Sequence, residues 1–259
     1  MKSTPKNQKL YWDSRAREYP TPFDPATAAK TRRILAALRR LGADLRGLRV
    51  LDIGCGTGVY ALWLAANGAA SAVGTDSSRA MLRVFARERR LRGIKNASCF
   101  AADWAKVPAE KVAGRFDAAL ASMTMAVKGE ADLLRMESAV PGGLCVYIGW
   151  AGRRRNALME KVYAGHGLEY KAPEGAELVL AALKRLGRRP KARYISDSWT
   201  RGDSVEGTLA AIAVNMKVNG VRLKRAWTLE LLKQRARGGV VPQRTSVRKA
   251  LLVWRAPRP

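Results

Sequence analysis

The residues of this 259-residue chain best suited to chemistry gather in "VLDIGCGTGVY", positions 50–60. Asp52 closes an apolar run, and Gly54, Gly56 and Gly58 follow at alternate positions around Cys55. Glycine lacks a Cβ and permits backbone angles that other residues resist, so a ligand can approach the main chain there. The helix expected just beyond would aim its first amides at the same spot. A dinucleotide fingerprint reads G-x-G-x-x-G, whereas this turn reads G-x-G-x-G with an acid two residues ahead. An acid in that place repels pyrophosphate and suits an ammonium. Asp76 in "AVGTDSSRAML", 22 residues after Gly54, can accept both hydroxyls of a ribose, with Ser77 beside it. Asp103 and Trp104 in "CFAADWAKV" offer an acid for an adenine amino group and a flat face for its ring. Each aspartate alone would serve equally as a helix cap or turn acid. Set at the ends of three successive strands, they point to a ligand with a positive amino group and a nucleoside.

Those positions require a particular frame. Short apolar runs at 48–53, 71–75, 97–101, 115–121 and 143–150 alternate with helix-length segments at 58–67, 78–92 and 130–138. Strands separated by helices pair in parallel through right-handed crossovers, and ligands bind where such strands end. Upstream, 7–19 reads as a short helix and 26–41 as another. After 150, helical segments near 155–165 and 174–187 precede a strand over 192–199. Helices near 204–217 and 225–236 then precede a last strand over 246–254. The expectation is an α/β fold: a Rossmann-like open sheet of about seven strands, mostly parallel, with an antiparallel last strand. Helices cover both faces. Residues 1–45 would form an N-terminal helical cap and 46–150 a ligand-binding core. Residues 151–259 would complete the sheet and carry a helical insertion at about 203–240.

Composition narrows the function. The chain is 47% hydrophobic and 27% charged, as in ordinary soluble proteins. No run approaches the roughly 18 apolar residues of a membrane span, and the start lacks signal-peptide character, so a cytoplasmic location is expected. Cys55, Cys99 and Cys145 lack zinc or disulfide spacing and read as buried thiols, and the single histidine, His166, reads as structural. No metal is expected. Lys and Arg number 48 against 21 Asp and Glu, net +27, and 151–259 carry +16 of it. Such a field concentrates anions, whether nucleic acid or small acidic metabolites.

With "VLDIGCGTG", "VGTDSSRAML", "FAADW" and "FDAALASMTM" in this order and spacing, the chain resembles the class I S-adenosylmethionine-dependent methyltransferases over about residues 7–150. The resemblance implies S-adenosylmethionine as cofactor and S-adenosylhomocysteine as product. Gly54, Gly56 and Gly58, with Cys55, would pass beneath the methionine part and ribose. Asp52 would lie near the ammonium, Asp76 and Ser77 at the ribose, Asp103 and Trp104 at the adenine. Ser122 and Met123 would line the methyl group. "YWDSRAREY" is similar to the segment that small-molecule members fold over the cofactor, so Tyr11 or Trp12 would close the pocket.

Methyl transfer from a sulfonium needs alignment and dryness rather than an obligatory base, so no catalytic residue is named. The segment "SMTMAV" lacks the Asn/Asp-Pro-Pro-aromatic run of amino-methylating nucleic-acid members. A small anionic acceptor is the first expectation, flanked by Trp12, Tyr147, Trp150 and Trp199. RNA is the alternative, through "RRPKARYISDSWTR" (188–201) and the row Arg79, Arg83, Arg87 and Arg90. A non-catalytic nucleic-acid-binding protein of this fold is the third.

Overall fold

In the computed structural model, which describes residues 11–258, seven strands form one sheet in the order β3-β2-β1-β4-β5-β7-β6. They are β1 (Arg49–Ile53), β2 (Ser71–Asp76), β3 (Ala97–Ala101), β4 (Ala118–Ser122), β5 (Leu144–Arg155), β6 (Lys191–Ser204) and β7 (Val240–Arg255). Six are parallel and β7 is antiparallel, in an open sheet with helices around it. The helices are α1 (Pro25–Arg40), α2 (Ala61–Ala66), α3 (Arg79–Leu91), α4 (Glu130–Ser138), α5 (Ala157–Gly165), α6 (Ala176–Arg185), α7 (Val205–Val218) and α8 (Arg225–Arg235). Part of the helix expected over 7–19 lies outside the described residues; within them, 11–15 are helical and 16–18 turn.

The chain divides into two compact units. Among the described residues, one comprises 11–149, 174–194 and 250–258; the other comprises 150–173 and 195–249. In the first, β1 lies between β2 and β4, with Leu51 opposite Val73 and Ala119, and β4 also pairs with β5. Strands covered on both faces read as unbroken apolar runs. That is why Val50, Leu51 and Ile53, Ala118 to Ala121, and Cys145, Val146 and Ile148 are all fully enclosed. Leu62, Leu82 and Phe85 bring α2 and α3 together with Ala72 and Ala97 of the sheet. Local signals start the helices: Asp24 accepts the Thr27 amide ahead of Pro25, and Ser78 Oγ accepts the Met81 amide.

A buried carboxylate staples this unit together. Glu137 at the end of α4 accepts from Arg188 Nε and Nη2, both at 2.9 Å, and from Trp254 Nε1 at 2.9 Å. Arg188, the first residue of the basic-aromatic stretch, is therefore structural rather than free for a polyanion.

The second unit packs α5, α7 and α8 through Leu158, Val162, Ile212, Met216 and Leu232. His166 belongs to its structure: Nδ1 bonds the Val162 carbonyl at 2.7 Å, and Nε2 accepts the Lys224 amide at 2.9 Å. Asp197, buried on β6, pairs with Lys249 Nζ at 2.7 Å, so it too is withdrawn from any surface stripe.

Candidate functional site

The ends of β1 and β2 are joined by main-chain bonds before any side chain acts. Gly54 and Cys55 both donate to the Thr75 carbonyl, at 2.7 and 3.0 Å, and Gly58 donates to the Cys55 carbonyl at 2.9 Å. Asp76 then ties the turn down. Its Oδ2 accepts the Gly56 amide at 2.9 Å and its Oδ1 the Ser78 amide at 2.8 Å. Burial pushes its carboxyl above the ordinary range, opposed by these amides and reinforced by the charge of Asp13. Asp52 lies beneath the turn, and its Oδ2 accepts the amide of Ala61, the first residue of α2, at 3.1 Å. Burial lifts its pKa to about 7; the Ala61 amide pulls the other way and the Asp76 charge adds to the rise. Asp52 is thus more costly to ionise because of Asp76, and Asp76 because of Asp13.

The three glycines have separate packing reasons. All have positive φ: 69°, 55° and 88° for Gly54, Gly56 and Gly58. A Cβ on Gly54 would meet Thr124 Oγ1, and one on Gly58 would come within 2.5 Å of the Phe85 ring, so the protein's own atoms fill both spaces. Only at Gly56 is the space open, with Tyr19 Cε1 nearest at 3.9 Å. The Cys55 side chain is also internal, packed with Leu62, Leu82 and Phe85. Its thiol is pushed well up by burial, as is that of Cys145; Cys99 is raised less strongly.

Asp103 is partly exposed and accepts the Ala105 amide at 3.3 Å, while Ser77 is exposed beside Asp76. Trp104, expected to offer a flat face to an adenine, is closed off from solvent. It is 2% exposed, and its indole N–H donates to the Asp132 carbonyl at 3.4 Å. Ser122, the last residue of β4, is partly buried, and Met123 just beyond it is the one non-glycine residue with positive φ among the described residues, at 51°. Its amide donates to the Ile148 carbonyl at 2.7 Å, which holds the strained conformation.

The N-terminal segment docks on this turn through residues that sequence reasoning did not single out. Asp13 Oδ1 accepts from Ser78 Oγ at 2.6 Å and from the Ala80 amide at 3.3 Å, at the start of α3. Thr57 Oγ1 donates to the Pro20 carbonyl at 2.6 Å. Tyr11, 46% exposed, sits edge-on to Trp12 at 5.1 Å, and Trp12 edge-on to Tyr19 at 5.8 Å. Tyr19, the second tyrosine of "YWDSRAREY", stands over Gly56. Of the expected acceptor-side aromatics, Tyr147 is buried, with its phenol pushed up to about 12 by burial and by Glu177. Trp150 and Trp199 belong to the other unit and are partly exposed. Arg79, Arg83, Arg87 and Arg90 are exposed along α3. Two shallow clefts of about 470 and 480 Å³ lie elsewhere, one around Asp44, Asp117 and Arg258, the other around Val107 and Leu134. In the first, Asp117 and Asp44 are already bonded to Arg49 and Arg46.

Residues 50–139, from β1 to the end of α4, match the family described as Methyltransferase domain. This segment is similar to a methyltransferase domain and sits on a sheet with the class I fold. Over 147 residues, 56% of this chain, it is 28% identical to Ribosomal protein L11 methyltransferase of Syntrophotalea carbinolica. The alignment covers 46% of that protein, so the chain spans a little under half its length. Among solved structures, the 4+2 cyclase SpnF superimposes with a TM-score of 0.60 at 18% identity, covering 99% of this chain and 98% of that one. Magnesium protoporphyrin IX methyltransferase of Synechocystis PCC 6803, with bound SAH, gives 0.54 at 16% identity, covering 74% and 93%. A cyclase among these neighbours shows that the methyltransferase-domain fold alone does not fix the reaction.

Proposed function

We propose that the chain is an S-adenosylmethionine-dependent methyltransferase acting on a small anionic metabolite by direct displacement. The observation that carries this reading is the Asp76 to Gly56 bond at the open position of the glycine turn. The Asp76 oxygens accept main-chain amides, and a lone pair not so used can accept a ribose hydroxyl. The Asp76 charge adds to the rise in the Asp52 pKa, and an ammonium placed beside Asp52 would offset it. Gly56 leaves the main chain open to a ligand, and Tyr19, Trp12 and Tyr11 supply a cover that would keep water out. Ser77, Asp103, Ser122 and Met123 are assigned to the same pocket from their places at the strand ends. When bound, the cofactor supplies a methyl group already activated on a sulfonium. The protein's part is to align the acceptor and exclude solvent. The raised thiols of Cys55 and Cys145 argue against a covalent cysteine adduct.

RNA as acceptor is the second reading, favoured by the exposed row of arginines on α3. Calorimetry with S-adenosylmethionine tests the first claim: micromolar binding is expected, and no heat with intact protein would discard it. Co-purifying material absorbing at 260 nm, with binding that falls steeply in salt, would move the acceptor to RNA. Clean protein with shallow salt dependence favours the metabolite.

A further inference from the structure

The outer part of β5 reads "WAGRRR", 150–155, and its three arginines differ in what they meet. Arg155 Nε lies 2.9 Å from Glu160 Oε1, and Arg153 is exposed. Arg154 is half-buried between two rings: its guanidinium carbon is 5.7 Å from the centre of Trp150 and 4.5 Å from that of Tyr170. Trp150 and Arg154 are four apart on one strand, so they share a face, and Gly152 between them contributes no side chain. Tyr170 is itself braced edge-on by Tyr163 at 5.1 Å.

Among the described residues this guanidinium lacks a counter-charge. Its Nε is buried with no hydrogen bond, and among the described residues no carboxylate pairs with it. The neighbouring carboxylate of Glu160 is engaged by Arg155 and by the Asn156 amide. Residues 150–173 and 195–249 together hold 16 Lys and Arg against 6 Asp and Glu, so anions are drawn to this unit while few internal partners exist for them to displace. A guanidinium oriented by aromatic faces and left unpaired is half of an ion pair. With the Nε edge closed, the side-on fork is unavailable, and the two Nη nitrogens remain for end-on recognition.

We infer that Arg154, clamped between Trp150 and Tyr170, is an oxyanion site that takes the carboxylate or phosphate group of a small anion. The inference rests on the small-anion reading above, and its test separates the two. The full chain is titrated calorimetrically with benzoate and with inorganic phosphate, alongside Arg154→Gln, Arg154→Lys and Arg153→Gln, with thermal melts to confirm folding. Saturable binding of at least one anion is expected, weakened tenfold or more in Arg154→Gln and partly restored in Arg154→Lys. Arg153→Gln, which removes the same charge one residue away, should stay within twofold of the parent. Benzoate alone assigns a carboxylate, phosphate alone a phosphate. Unchanged binding in Arg154→Gln, or an equal loss in Arg153→Gln, overturns the site. S-adenosylhomocysteine is titrated into the same proteins. If it binds and neither anion does, the Arg154 site fails; if it does not bind, the methyltransferase reading fails while the anion result stands.

Discussion

The carboxylate that ends β2 also fixes the turn that follows β1: Asp76 Oδ2 accepts the Gly56 amide across 2.9 Å. One side chain therefore shapes the main chain at the proposed ribose position and supplies its acceptors. Asp76→Ala should weaken S-adenosylhomocysteine about 100-fold, equivalent to roughly 2.7 kcal/mol. Asp76→Asn keeps an acceptor for one amide and should lose less. Calorimetry on both variants checks the order.

The glycines should separate into two groups. Gly54→Ala and Gly58→Ala drive a Cβ into Thr124 and Phe85, and overpacking of this kind destabilises by about 1–3 kcal/mol. Gly56→Ala meets open space and pays only the left-handed backbone penalty, about 1–2 kcal/mol. Denaturant melts should rank it the mildest of the three in stability, whereas cofactor titration should rank it among the most damaging in binding.

Asp52 gives a pH signature with two signs. Its pKa is about 7 in the fold against an ordinary 3.8, so the folded state binds the extra proton between those values. Its contribution to stability therefore falls as pH rises through that window and is most unfavourable above 7, by on the order of 4 kcal/mol at most. Asp52→Asn, which keeps an acceptor for the Ala61 amide, should melt higher than the parent at pH 8, with the gap closing toward pH 4. Cofactor affinity should move oppositely: the parent should bind more tightly at pH 8 than at pH 6, and Asp52→Asn should show little change. A parent curve flat across that range would remove the ammonium role.

Asp13→Ala should release the N-terminal segment from Ser78 and the start of α3. The expected result is about tenfold weaker cofactor binding with faster dissociation, read by stopped-flow fluorescence of the Trp12 region, and a melting point little changed.

Glu137→Ala leaves Arg188 and Trp254 without their acceptor inside the fold. A loss of about 3–5 kcal/mol in denaturant unfolding is expected. Protein that remains folded should bind the cofactor as the parent does, because these residues touch none of the turn.

Much of this was legible because parallel strands covered on both faces announce themselves as apolar runs. β1 to β5 begin within a few residues of the positions read from sequence, and the turn acids Asp52 and Asp76 stand at strand ends as their spacing implied. Strand length was not legible. β5 continues through "AGRRR" to Arg155, β6 through "RGDS" to Ser204, and β7 starts at Val240. Their outer segments carry many exposed polar and charged residues, so neither an apolar run nor alternation marks them. Long-range partners were equally silent: nothing near Trp104 signals its burial, and nothing near Gly54 or Gly58 names Thr124 or Phe85. Asp13 sits 65 residues from Ser78, where no periodicity can report it.

The order of the sheet also bears on how the polypeptide is made. β7 emerges after β6 yet lies inside it, next to β5. Until its residues leave the ribosome, β5 and β6 each keep a bare hydrogen-bonding edge. The nascent protein thus passes through a stage in which a long strand has no neighbour and a gap stands open in the sheet. That interval is when mispairing with another chain is easiest and when a chaperone would find most to hold.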